Sequence, residues 1–276
     1  MNVKIKDLIF KVAVIISGTV VIFITFGMFL YLFHKGIGVI SADFIFDSPK
    51  GMPLGKEGGI FPAIAGSLMS GLLSGLFGGI LGLCTSVYLV FYCKSKNVKN
   101  IIVQALQCLA GIPSVVIGLF GYTVLLVGLG LQKSLLSASI TLMIMIIPFI
   151  TIRIKRAFEE ASKEQFISSL SLGIPKGYTI IHLIIPNTMK YIMTSLGLGT
   201  VFAMGATAPI MFTGAVIIAG VPSKISDPIM ALPYHLYILV NEGLSIEMGY
   251  GTAFVLIVLV LMINLICHFI CDIKKV

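Results

Sequence analysis

Charge is scarce in this chain, and tryptophan is absent. Only 11% of its 276 residues are Asp, Glu, Lys or Arg, while 58% are hydrophobic. Soluble domains carry about 25% charged residues, so a water-soluble globular fold is excluded. Cysteine is sparse too. Cys84, Cys93, Cys108, Cys267 and Cys271 contain no C-x-x-C pair and no His-rich metal spacing, which removes disulfide scaffolds and zinc modules. The four histidines, His34, His182, His235 and His268, are scattered, and no Ser-His-acid set falls on one helix face. There is no Gly-rich loop closed by Lys-Ser/Thr to cradle a nucleotide phosphate, so ATP hydrolysis is not expected of this chain. No catalytic residue, cofactor or metal is expected.

What the chain does have is long apolar runs, several exceeding the roughly 20 residues that cross a bilayer. The runs place six spans at about 12–33, 60–92, 101–131, 134–152, 191–218 and 249–270, in a single transmembrane domain over 1–276. The first follows Lys4, Lys6 and Lys11 but is too long for a signal-peptide core and lacks a small-residue cleavage site, so it reads as a retained span. In the second, Gly71, Gly75 and Gly79 recur every four residues, and Gly78 and Gly82 repeat the pattern one step round. Such spacing lets helix backbones approach closely in lipid. The third is interrupted at Gly111-Ile112-Pro113-Ser114, where proline removes a backbone donor and kinks or breaks a helix. A break of that kind is tolerated in a membrane where it is buried in protein or lines a wet cavity.

The basic residues sort by side. With six spans, Lys4, Lys6, Lys11, Lys94, Lys96, Lys99, Arg153, Lys155, Arg156, Lys163, Lys176, Lys190, Lys274 and Lys275 share one face. Only Lys35, Lys50, Lys56, Lys133 and Lys224 fall on the other. The positive-inside rule then puts both termini and the 153–190 loop in the cytoplasm. The net charge of +8 is thereby a topology signal, and no nucleic-acid partner is expected.

That 153–190 loop is the most charged stretch of the chain. Gly173 and Pro175 punctuate a helix–turn–helix in it, because Gly accepts positive φ and Pro suits the first turn of a helix. Beyond the turn, Ile180, Ile181, Ile184 and Ile185 recur at helical spacing and form an apolar face expected to dock on another protein.

From Gly173 to Pro186 the spacing resembles the signature loop of ABC-transporter permeases, which reads Glu-Ala-Ala, three residues, Gly, nine residues, Ile-x-Leu-Pro. Leu183, Ile185 and Pro186 stand in register, while Ile167, Ser168 and Ser169 fill the Glu-Ala-Ala places. Four further stretches, Gly58 to Leu68, Leu109 to Tyr122, Gly205 to Val216 and Met230 to Tyr237, resemble the phosphate-specific branch of these type I importer permeases. The last two, with Tyr250 to Asn264, are closer to its PstA-type than to its PstC-type subunit. The resemblance implies an all-α polytopic membrane protein with six transmembrane helices and a cytoplasmic coupling helix–turn–helix between spans four and five. It implies a path for inorganic phosphate, shared with a second, PstC-like permease and fed by an extracytoplasmic binding protein. It also implies a dimer of ABC ATPase subunits contacting Glu164, Ser168, Ser169, Gly173, Pro175, Ile185 and Pro186. Another oxyanion, an amino acid, or a regulatory subunit without transport are the alternatives. The sequence departs from the family at Phe91, Ile167 and Ala206, each standing where a carboxylate is usual. No Lys or Arg lies in the middle of a span, so hydroxyls and backbone N–H groups at broken-helix ends are the expected anion ligands. Ser114, Thr207 and Thr213 are the candidates.

Overall fold

The computed structural model describes residues 3–51, 57–161 and 163–273; Lys56, Lys274 and Lys275, which entered the charge sorting, lie outside them. Helix α1 (Val3–Gly36) leads into a short α2 (Ala42–Phe46) and a two-residue hairpin of β1 (Pro49–Lys50) with β2 (Glu57–Gly58). Then come α3 (Phe61–Val87), α4 (Lys96–Ala110), α5 (Ser114–Gly121) and α6 (Leu135–Ala161). The charged loop forms α7 (Lys163–Ser171) and α8 (Lys176–Thr179), followed by α9 (Ile185–Met204), α10 (Ala208–Thr213), α11 (Leu232–Asn241) and α12 (Ile246–Ile273). Wider π-helical turns, bonded i→i+5, extend α3 over Tyr88–Tyr92 and α5 over Tyr122–Gly128, and join α8 to α9 over Ile180–Ile184. Proline marks the first turn of α3, α10 and α11, where its missing N–H would have had no helical partner.

Helices α3, α6 and α9 pack on one another and form the centre. The two glycine stripes of α3 divide the work. Side chains at Gly71, Gly75 and Gly79 would collide with Met204, Thr200 and Leu196 of α9. At Gly78 and Gly82 they would come within 3.1 Å and 2.9 Å of Ile146 and Ile150 on α6. Each stripe is a seat for a different neighbour, and dispersion at short range holds the three helices together. Ser86 Oγ adds a buried hydrogen bond across to the Thr151 carbonyl, 2.9 Å. Helix α12 packs on α9, and α1 touches the bundle through α12, with Tyr31 and Phe33 against Tyr250 and Phe254.

Among the described residues, four helical stretches are long and apolar enough to cross a membrane: Lys6–Gly36, Phe61–Tyr92, Leu135–Glu160 and Ile246–Phe269. The stretch expected to be a third span is a bent pair, α4 and the continuation of α5, turning by 99° at Gly111–Pro113. Helix α6 does not stop near Ile152 but continues to Ala161, because Pro148 is accommodated inside it and the charged residues that follow are good helix formers. The stretch expected as 191–218 begins earlier, at Ile185, and its helix ends at Met204, where Gly205 and Pro209 interrupt it. Thr188, Lys190, Thr194, Ser195 and Thr200 give α9 a scatter of polar groups, which suits a helix packed among α3, α6 and α12.

The bundle has two distinct ends. At one, Lys99 of α4 and Lys155 of α6 share Glu159, at 2.8 Å and 2.7 Å, so the two basic segments lie together. At the other, carbonyls of Thr213, Asp227 and Ile225 accept from the first N–H groups around α6, at Ser134, Leu135 and Leu136. Lys133 there donates to the carbonyls of Met211 and Ala215, capping α10. Ser67 of α3 accepts from the Leu232 N–H at the start of α11, 2.8 Å.

Candidate functional site

The basic end carries the joint between α7 and α8. Gly173 has φ +78°, and the Ile174 and Gly173 N–H groups donate to the carbonyls of Ser169 and Leu170. This is a Schellman closure, which satisfies the last carbonyls of α7 and needs a left-handed residue after the helix. Pro175 then sits extended just ahead of α8. Asn187 donates to the Gln165 side-chain carbonyl at 3.0 Å and ties the joint to the foot of α9.

Of the residues expected to meet a partner, Glu164, Ser168, Gly173, Pro175 and Pro186 are exposed. Ser169 is buried with its hydroxyl donating to the Gln165 carbonyl, and Ile185 is half-buried against the core. The apolar face expected for docking is divided. Ile180 and Ile184 are 3% and 0% exposed within the chain's own core, whereas Ile181 is 61% exposed. The π-helical turn over Ile180–Ile184 carries the chain from α8 into α9, and its inward residues pack into the centre under α3 and α6.

Phe91, at the foot of α3, packs at tilted ring angles against Phe166 of α7 and Phe158 of α6, with ring centroids 4.7 Å and 5.4 Å apart. Where the resemblance led one to expect a carboxylate, this chain has an aromatic rivet between the joint and the bundle. Nothing in the spacing of Phe91, Phe158 and Phe166 along the sequence announces it.

A second feature is the break between α4 and α5. Ser114, the first residue of α5, opens onto a cavity of about 430 Å³ with Ile112, Phe149, Arg153 and Phe202. The guanidinium of Arg153 lies 5.4 Å over the Phe149 ring. Because α6 continues past Ile152, it carries a cation to a place where the linear sequence puts only the end of a span. The i, i+4 spacing of Phe149 and Arg153 was the available signal. Thr207 is half-buried at the start of α10. Thr213 is fully buried, donates to the Pro209 carbonyl at 2.7 Å and packs under Gly121, so its hydroxyl serves its own helix. The structure thus puts Ser114 on a cavity and Thr213 in the interior, rather than both on one surface. Among the described residues no group of His, Cys, Asp and Glu is arranged to hold a metal ion.

Residues 75–273, which include the α7–α8 joint and both broken helices, match the family described as the binding-protein-dependent transport system inner membrane component. The chain belongs to that family. It is accordingly a multi-pass protein of the inner membrane, with an ABC importer's ATPase and binding protein as its general class of partners. Among relatives of the family, the phosphate transport system permease protein PstA 1 of Mycobacterium tuberculosis is 29% identical over 225 residues, 78% of this chain and 71% of that protein. The probable phosphate transport system permease protein PstA of Methanocaldococcus jannaschii is 28% identical over 211 residues, 75% of this chain and 74% of that one. The fold is also that of a chain in a bacterial alginate ABC transporter crystallised with its loaded periplasmic protein. The TM-score is 0.68 at 15% identity, over 99% of this chain and 98% of that one.

Proposed function

We propose that this chain is a PstA-type membrane subunit of an ATP-driven importer, forming with a second, PstC-like permease the path for inorganic phosphate handed over by an extracytoplasmic binding protein. The observation that carries the reading is the similarity to PstA proteins of a bacterium and an archaeon over three quarters of the chain or more. The exposed edge of the α7–α8 joint, with Glu164, Ser168, Gly173, Pro175 and Pro186, is the surface assigned to the ATPase subunits, which supply the hydrolysis this chain has no loop for. Ser114 and Thr207, at the starts of two broken-helix segments, are assigned to the path. Helix starts favour anions, since their N–H groups point out of the helix. The basic end, with both termini, is assigned to the cytoplasm.

The test is reconstitution of the full complex in proteoliposomes. ATP turnover is expected to rise several-fold on adding the binding protein loaded with phosphate, and not with the empty protein. Stimulation only by a binding protein loaded with a different solute, such as another oxyanion or an amino acid, overturns the phosphate assignment.

A further inference from the structure

Where α6, α9 and α12 meet at the basic end, they enclose a cleft of about 480 Å³. Arg153, Arg156 and Glu160 of α6 line one wall, Lys190 and Thr194 of α9 another, and His268 of α12 closes it. Three helices thus each bring a basic side chain to one recess. Both arginines are exposed, and among the described residues neither is in an ion pair. The reason lies next to them. Glu159, the acidic residue on the same turn of α6, is already held by Lys99 and Lys155. Among the described residues that line the cleft, Glu160 is the one carboxylate, beside two arginines of its own helix. The recess is therefore cationic. It also lies where the apolar run of α6 gives way to charge, the depth at which a bilayer's hydrocarbon meets its headgroups.

We propose that this cleft is a binding site for a phosphate group, carried by an anionic lipid headgroup or by the free inorganic anion, with Arg153 and Arg156 as its principal ligands. Guanidinium groups suit this ligand because their planar forks donate two parallel hydrogen bonds to phosphate oxygens. Thr194 lines the wall with its hydroxyl donating to the Lys190 carbonyl of its own helix, and Tyr191 gives the wall an aromatic edge. The inference stands on this geometry alone, whatever solute the protein transports.

The experiment uses the full-length protein, delipidated in detergent and compared with Arg153→Gln/Arg156→Gln. In the first arm, native mass spectrometry measures retention of phosphatidylglycerol against phosphatidylcholine. In the second, thermal unfolding is followed with inorganic phosphate against chloride at equal ionic strength. A headgroup site predicts a preference for phosphatidylglycerol that falls roughly 30-fold in the double variant, two basic contacts having been removed near the membrane surface. A site for the free anion predicts a phosphate-dependent rise in Tm that the double variant loses. If the double variant matches the parent in both arms, the site does not exist. Glu160→Gln separates binding from packing: it removes a repelling charge and is expected to tighten whichever ligand binds. Should it weaken binding as much as the arginine pair does, the losses reflect disturbed packing and the inference fails. Transport of phosphate is scored separately, so failure of either reading is visible without the other.

Discussion

Phe91, Ile167 and Ala206 are the positions at which the family resemblance led one to expect carboxylates, and the three residues sit in different surroundings here. Phe91 is 8% exposed and packed at tilted angles against Phe158 and Phe166, so a carboxylate there would be buried among aromatic rings at a desolvation cost. Ile167 points out of α7 and is exposed. Ala206 is half-buried in the break between α9 and α10, packed against the core. His235 is a buried residue whose ionisation bears on stability. It lies in α11, outside the long apolar helices, is 7% exposed, and burial lowers its pKa to about 4. The unfolded chain titrates this group near 6.5, so between those values the unfolded state holds a proton that the native state refuses. Stability conferred by the neutral imidazole is whole above about pH 6.5 and is lost as the pH falls towards 4. The expected loss is roughly 3 kcal/mol across that window. Thermal unfolding in detergent from pH 7 to 4 checks it: His235→Gln should flatten the profile, and an unchanged slope would assign the acid sensitivity elsewhere.

At the scale of elements, α3 and the α7–α8 joint were the most legible parts of the sequence. The stripes at Gly71/Gly75/Gly79 and Gly78/Gly82 announce close helix packing because only the absence of a side chain permits it; which helix seats on which stripe needed the fold. Gly173 announced a turn, and it has the positive φ that the turn requires. What could not be read was the fate of Ile180, Ile181, Ile184 and Ile185. Periodicity reports that a face is apolar, not whether its partner is the same chain or another one, and here most of the face is turned inward. Gly173→Val tests the joint. No atom lies within 4 Å of where its Cβ would go, so the substitution acts through backbone strain and not through collision. An L-residue held in this conformation costs about 1–2 kcal/mol, enough to shift the angle of α8 without unfolding the bundle. The variant is expected to insert in the membrane normally and to lose co-purification with the ATPase or the turnover coupled to it. Normal assembly and transport would make the joint a lipid-facing linker.

Across the whole molecule, charge and structure agree on which segments share an end. Lys99, Lys155 and Glu159 bring the 94–99 and 153–190 segments together, and Lys133 and Lys224 lie with the loops at the opposite end. Single cysteines placed at Lys96 and Lys176 should be protected from an impermeant maleimide in intact cells, while cysteines at Lys50 and Lys224 should react. Labelling of Lys96 together with Lys224 from outside would break the proposed sidedness. Composition alone determined that the chain is helical and membrane-embedded, because so few charges and such long apolar runs leave no other way to satisfy the backbone in lipid. Local spacing determined the glycine seats, the proline starts and the turn at Gly173, each a property of a few adjacent residues. The tertiary structure alone decided that the Gly111–Pro113 interruption is a 99° bend, that α6 carries Arg153 beside Ser114, and that Phe91 is riveted to α7. It also decided that three helices place basic groups around one cleft. These are contacts between residues far apart in the chain, and no local preference encodes a distance across the fold.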